Sequence, residues 1–166
     1  MNRSDVMNDP RFVARLSRYS DRLARVEHAF EAATHSVVDF KVDKQGELGD
    51  EIDKFSAKLR EYHLALYLCD ERAKILASDL RADRIRLDRI ESSDLVSSTK
   101  TTLDTELRIL KALHASVGDN LAFVRQTRRN LETIRETCEF TRLVRLCQSW
   151  STFVAKSHID GSPTSG

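Results

Sequence analysis

The chain has 166 residues, 40% hydrophobic and 32% charged, which suits one domain rather than two. Its formal net charge of +1 gives no global electrostatic case for nucleic acid. No apolar run approaches the length of a membrane span, and the N-terminal MNRSDVMND has no signal-peptide core. Pro10 and Pro163 are the only prolines, and Gly118 is the only glycine between Gly49 and Gly161; this is the composition of long helices. Cys69, Cys138 and Cys147 form no CxxC pair and read as reduced, buried cysteines of an intracellular protein.

Residues 1–8 read as a polar leader. Asp9 and Pro10 form a helix start, with Asp as cap and Pro at the first helical position. Helix A, about 9–43, follows with apolar residues at Phe12, Leu16, Tyr19, Leu23, Val26, Phe30, Ala33, Val37 and Phe40, an unbroken three-four alternation. The segment DKQGELG (43–49) carries two glycines, which cost a helix interior about 2 kcal/mol together. It favours a tight hairpin, although the phase slip there also equals a four-residue stutter in a continuous helix. Helix B, about 50–92, has the longest seam: Ile52, Phe55, Leu59, Tyr62, Leu66, Cys69, Ala73, Leu76, Leu80, Leu87 and Ile90, with a polar gap at Asp83. A second stripe, Leu64, Leu68 and Ile75, predicts a second neighbour for this helix. The run SSDLVSSTKT (92–101) reads as a turn, because its side chains compete for backbone hydrogen bonds. Helix C, about 101–157, carries Leu103, Leu107, Leu110, His114, Val117, Leu121, Val124, Arg128 and Leu131, then after a phase slip Leu143, Leu146, Trp150 and Phe153. Residues 159–166 read as a tail.

These elements predict an all-α fold, an elongated antiparallel three-helix coiled-coil bundle in a single domain spanning 9–158. At 1.5 Å per residue the helices span roughly 50, 65 and 85 Å. Helices B and C then project past helix A as a two-helix arm around residues 86–106. The end of helix C overhangs the A/B hairpin, leaving Leu143, Leu146, Trp150 and Phe153 as an apolar interface. A homodimer about a two-fold axis would cover it. The alternative is that helix C folds back at Gly118 into a four-helix bundle.

Three helices, an arm and an apolar dimer centre resemble the BAR-domain family. The segment RVEHAFEAATHSVVDFKVDKQGELGDEIDKFSAKLREY is similar to the first helix and the start of the second in the small BAR-only proteins linked to membranes and the ciliary base. The run ETIRETCEFTRLVRLCQSWSTFVAKSH, with Trp150 and Phe153 in a Trp-x-x-Phe-like pair, is similar to the end of the third. The arm is several turns shorter than is usual in that family. The resemblance implies a dimeric scaffold that docks on curved, anionic membranes and binds protein partners, at a cytoplasmic, peripheral-membrane, cytoskeletal or ciliary-base address.

The basic residues carry the membrane expectation: Arg81, Arg84, Arg86 and Arg89 with Lys100 near the arm, and Arg125, Arg128 and Arg129 on helix C. The bland reading of the first group is a solvated mixed-charge face, given the interspersed Asp79, Asp83, Asp88 and Glu91. The stripe Arg11, Arg15, Arg18, Arg22 and Arg25 on helix A reads better as ion pairs with Asp83, Asp79, Glu71 and Asp70 of helix B than as a phosphate-binding face. The five histidines show no metal spacing, His114 reads as a hydrogen-bonded core residue, and there is no HExxH, G-x-S-x-G or phosphate-cradling glycine loop. No cofactor and no catalysis are therefore expected. The rival to the membrane scaffold is a structural coiled-coil subunit of a cytoskeletal, ciliary or vesicle-tethering complex without direct lipid contact.

Overall fold

The structure, a computed structural model, describes residues 7–160, with side chains up to 157. The predicted leader and tail, including Ser162 and Pro163, lie largely outside these residues. The described chain is all-α: α1 (Pro10–Val38), α2 (Leu48–Asp88), α3 (Asp94–Thr137) and α4 (Phe140–Asp160). No strand occurs among the described residues, and no helix is long and apolar enough to cross a membrane. The residues fall into two units. Unit 1 takes those up to His28 with Asp70–His114, and unit 2 takes Ala29–Cys69 with those from Ala115 on.

The ends of α1 and α2 follow local chemistry. The Asp9 carboxylate accepts the Arg11 N–H at 2.9 Å, so the cap sits where the sequence places it. The chain leaves α1 at Val38, short of the predicted end, because Phe40 turns inward and stacks on Phe55 with ring centroids 5.7 Å apart. In the 39–47 connection Asp43 accepts the Gln45 N–H at 2.9 Å, and Glu51, 2% exposed, reaches back to accept the Asp43 N–H at 3.0 Å. The hairpin, not the continuous helix, is what forms. Both predicted seams bury almost throughout; Leu16 and Phe40 remain half-buried.

The third helix starts earlier than expected. Ser93 caps it, accepting the Val96 N–H at 3.2 Å, and the supposed turn is helical. The hydroxyls of Thr99, Thr101, Thr102 and Thr105 donate to the carbonyls four residues back instead of competing with the helix. Its buried seam also differs. Leu103, Leu110, Val117, Val124 and Leu131 face inward as expected, but the alternate positions are Glu106, Leu113, Asn120, Thr127 and Ile134. Leu107 and Leu121 are only half-buried, and His114 and Arg128 are exposed. Three polar residues at core positions hid this register, while two leucines one residue later imitated it.

The predicted single helix over 101–157 is two helices. The break is not at Gly118, which is helical, but at Cys138, whose φ of 56° is the left-handed conformation that commonly follows a helix end. Its N–H donates to the Ile134 carbonyl at 2.9 Å. The chain then turns back within unit 2. Phe153, fifteen residues after Cys138, stacks on Phe123, fifteen before it, at 4.0 Å between centroids.

This fold-back removes the expected overhang. Leu143, Cys147, Trp150 and Val154 form the inward line of α4, all 4% exposed or less. Leu146 and Phe153 are half-buried at its flanks. Trp150 lies 5.3 Å from Phe55, 5.8 Å from Tyr62 and 6.3 Å from Phe40, centroid to centroid. The four residues named as a dimer interface therefore do not form an exposed apolar patch: their apolar area is already spent within the chain. The arm also shortens. In unit 1 the antiparallel pair Arg15–Asp83 sets Pro10 opposite the last turn of α2, about one turn from the register expected.

Gly118 has nothing within 4 Å of where a Cβ would stand and no positive φ. Gly118→Ala is expected to raise stability by about 0.5–1 kcal/mol. Urea denaturation followed by circular dichroism checks this; a loss of stability would mean that the helix bends there.

Candidate functional site

Charged side chains divide into those consumed by the fold and those left to solvent. In unit 1 the consumed set centres on Asp83, which occupies a core position of α2 and is 2% exposed. Arg15 grips it with two hydrogen bonds, Nε to Oδ2 at 2.7 Å and Nη2 to Oδ1 at 2.9 Å, and the Tyr19 hydroxyl donates to the same carboxylate. Burial alone would push the Asp83 carboxyl up; the hydrogen bonds from Arg15 and Tyr19 and the charges of Arg15 and Arg86 outweigh it and hold it below the ordinary range. Arg22 meets Asp79 at 2.9 Å. Two members of the helix A arginine stripe thus pair across to α2, in line with a register-setting role.

The predicted basic group near the arm is mostly consumed as well. Arg84 bonds Asp104 at 2.9 Å and also Asp88, Lys100 meets Asp88 at 3.1 Å, and Arg86 lies 3.5 Å from Asp83. Arg81 and Arg89 have no carboxylate partner among the described residues. The five do not form one free basic face.

In unit 2 Arg125, Arg128 and Arg129 are exposed on α3, again without a carboxylate partner among the described residues. With Ser56 of α2 they border a surface groove of ≈ 350 Å³. The neighbouring Glu132 is engaged by Arg135, itself 3.0 Å from Asp53. His63 registers the local field: burial, then the charges of Arg128 and Arg125, hold its imidazole below the ordinary value. An anionic group at this groove would meet three guanidinium ions with five donors each and one hydroxyl, with the Glu132 carboxylate also on the lining.

The second stripe of α2 stays exposed, with no helix packed over it among the described residues. In unit 2 Leu64, Tyr67 and Leu68 are 59%, 52% and 49% exposed on one face of the helix. Ile75, in unit 1, is likewise exposed. These positions lie outside the buried seam, so the core does not account for them.

Reactive groups are few. Burial pushes the Cys147 thiol up to about 11, which leaves it an inert thiol at neutral pH; Cys138, expected to be buried, is instead exposed, because it lies at the turn that ends α3. No group of three or more His, Cys, Asp or Glu is placed to hold a metal ion among the described residues. His114, expected in the core, is exposed, and its Nδ1 donates to the Asp70 carboxylate at 2.6 Å.

Compared with known proteins, the chain matches no family model, no curated protein and no solved structure.

Glu106 is a buried liability in unit 1. It is 8% exposed, its Oε2 has no hydrogen-bond partner, and burial raises its carboxyl above the ordinary value. A carboxyl raised in the folded state costs stability once pH exceeds that folded value and costs nothing below its unfolded value. Glu106→Leu is therefore expected to stabilise by about 1–3 kcal/mol at neutral pH. The advantage should shrink as pH falls through the carboxylate range. Asp83 acts oppositely, losing its contribution at low pH, but it is common to both proteins and cancels. Urea midpoints of parent and variant measured from pH 7 to 4 provide the check; a constant gap would mean that Glu106 is not the titrating group.

Proposed function

We propose that this chain is a non-catalytic scaffold subunit that receives a helix of another protein on the outer face of α2 at Leu64, Tyr67 and Leu68. The observation that carries this is the exposure of three large apolar side chains within two turns of one helix, opposite a seam already filled. Fully burying each such side chain contributes about 1.5–3 kcal/mol. A partner helix presenting its own apolar row supplies that burial by knobs-into-holes packing. This is the rival reading of the sequence, the structural coiled-coil subunit, with α2 as the docking helix in place of the Leu143–Phe153 overhang.

The test places a photo-crosslinking residue at Tyr67 in the protein expressed in cells. A discrete adduct is expected, and it should disappear in the Leu64→Lys/Leu68→Lys background while circular dichroism stays unchanged. A crosslinker at the exposed Arg145 of α4 serves as the control. Adducts that persist in the double variant would reject the proposal.

A second proposal, direct contact with an anionic membrane, has one observation in its favour: the unpaired Arg125, Arg128 and Arg129. It corresponds to the lipid-binding half of the BAR-like expectation. The dimer half loses its rationale, since Leu143 and Trp150 are buried within the chain. Basic residues near such a surface contribute about 1 kcal/mol each. Arg125→Glu/Arg128→Glu/Arg129→Glu should therefore weaken co-sedimentation with phosphatidylserine-containing vesicles by about 100-fold or more. Absence of binding by the parent protein at low salt would exclude membrane contact.

A further inference from the structure

Unit 1 contains a surface groove of ≈ 480 Å³ between α2 and α3. Its floor is apolar: Ala73 and Ala77, one turn apart on α2, and Leu110 on α3 are buried at its base, and Leu107 on α3 is half-buried at its side. The two alanines are the cause of the depression, because a larger residue at either position would fill it. The rim is cationic, with Lys74 and Arg81 on the α2 side and Arg108 and Lys111 on the α3 side.

The charges on this rim are not equivalent. At one end Lys74 is held by Asp70 at 3.1 Å and Glu71 at 3.6 Å, and His114 by the same Asp70. That end is locally compensated. Arg81 and Lys111 have no carboxylate partner among the described residues, and Arg108 donates only to the Thr105 hydroxyl at 3.1 Å. Three uncompensated cations therefore flank an apolar trough, one on the α2 wall and two, three residues apart, on the α3 wall.

We infer that this groove is a docking site for an acidic amphipathic helix of a partner protein. The apolar floor calls for leucine-like side chains at i, i+3 and i+4, and the flanking cations call for Asp or Glu on either side of that stripe. From residue 73 to 81 the α2 wall runs about 12 Å, enough for roughly two turns of a guest helix. A lone phosphate or headgroup would satisfy the cations but leave the trough unfilled, so the floor decides between the two. Steering by the rim speeds encounter and selects sign; packing of the guest's leucines against half-buried Leu107 and the aliphatic stems of Arg81, Arg108 and Lys111 sets residence. None of the residues at the outer α2 row or the Arg125–Arg129 face takes part, so this site can stand or fall separately from both proposals above.

The probe is a fluorescein-labelled synthetic helix of eighteen or so residues, with Leu at three-four spacing and Glu at the flanking positions, read by fluorescence anisotropy. Saturable binding to the full chain is expected. It should weaken at least tenfold in Arg81→Glu/Lys111→Glu, whose side chains are exposed so that the fold is retained. It should also weaken at least tenfold when the peptide's leucines become serines, and vanish when its glutamates become lysines. Arg125→Glu/Arg128→Glu, as control, should leave the affinity unchanged. Any of three results would overturn the inference: no saturable binding of the Leu/Glu peptide, equal binding of the serine version (plain anion attraction), or loss in the control but not in Arg81→Glu/Lys111→Glu.

Discussion

The enclosure of Trp150 is the contact on which unit 2 depends. Its ring meets Phe55, Tyr62 and Phe40, which come from α2 and from the segment just beyond α1, while Trp150 itself belongs to α4. One side chain thus ties three stretches of chain remote in sequence. It can do so only because Cys138 leaves the helical region and returns α4 alongside α3. The surrounding polar groups are arranged to fit. The Tyr62 hydroxyl donates to the buried Asn120 at 2.9 Å, and Asn120 in turn donates to the Ser116 carbonyl at 2.8 Å. The indole Nε1 is the exception, buried without a partner among the described residues, an omission that costs about 1–3 kcal/mol. The aromatic packing is large enough to bear that cost.

Unit 1 is specified differently, by charge at a core position. Asp83 replaces an apolar residue in the α2 seam, and Arg15 and Tyr19 satisfy it from α1. An apolar residue there would pack well in several registers; a buried carboxylate is tolerable only where its two donors meet it. The same principle sorts the surface. Cations that set register are spoken for; many others, Arg18, Arg25, Arg60, Arg72 and Arg89 among them, have no carboxylate partner among the described residues, and the Arg125–Arg129 face and the groove flanked by Arg81, Arg108 and Lys111 are where three such cations border one depression. The proposed functions rest on these clusters and on apolar side chains that the core does not use.

Much of the fold was legible. The α1 and α2 seams could be read because nearly every core position holds an apolar residue, so periodicity alone identifies the buried face. The pairing of the α1 arginines with α2 acids followed from that register, to within about a turn. The α3 seam was misassigned, since Glu106, Asn120 and Thr127 are polar while Leu107 and Leu121 sit one residue away. The groove of unit 1 was not legible, because Ala73 and Ala77 mark it by what they lack, and Lys111 and Arg81 are separated by thirty residues of sequence.

By itself the amino-acid sequence determined that the chain is helical, where α1 begins, that a hairpin separates α1 from α2, and which face of each is buried. All of these rest on contacts within one turn or on a period of three to four residues. Tertiary structure alone decided where the third helix ends, which way α4 runs, and hence whether Trp150 is an interface or a core residue. Cys138 carries no local signal for a left-handed turn of the kind glycine would give. The energy that selects that turn comes from aromatic rings about eighty-five to a hundred and ten residues away in the chain, and no local pattern records it.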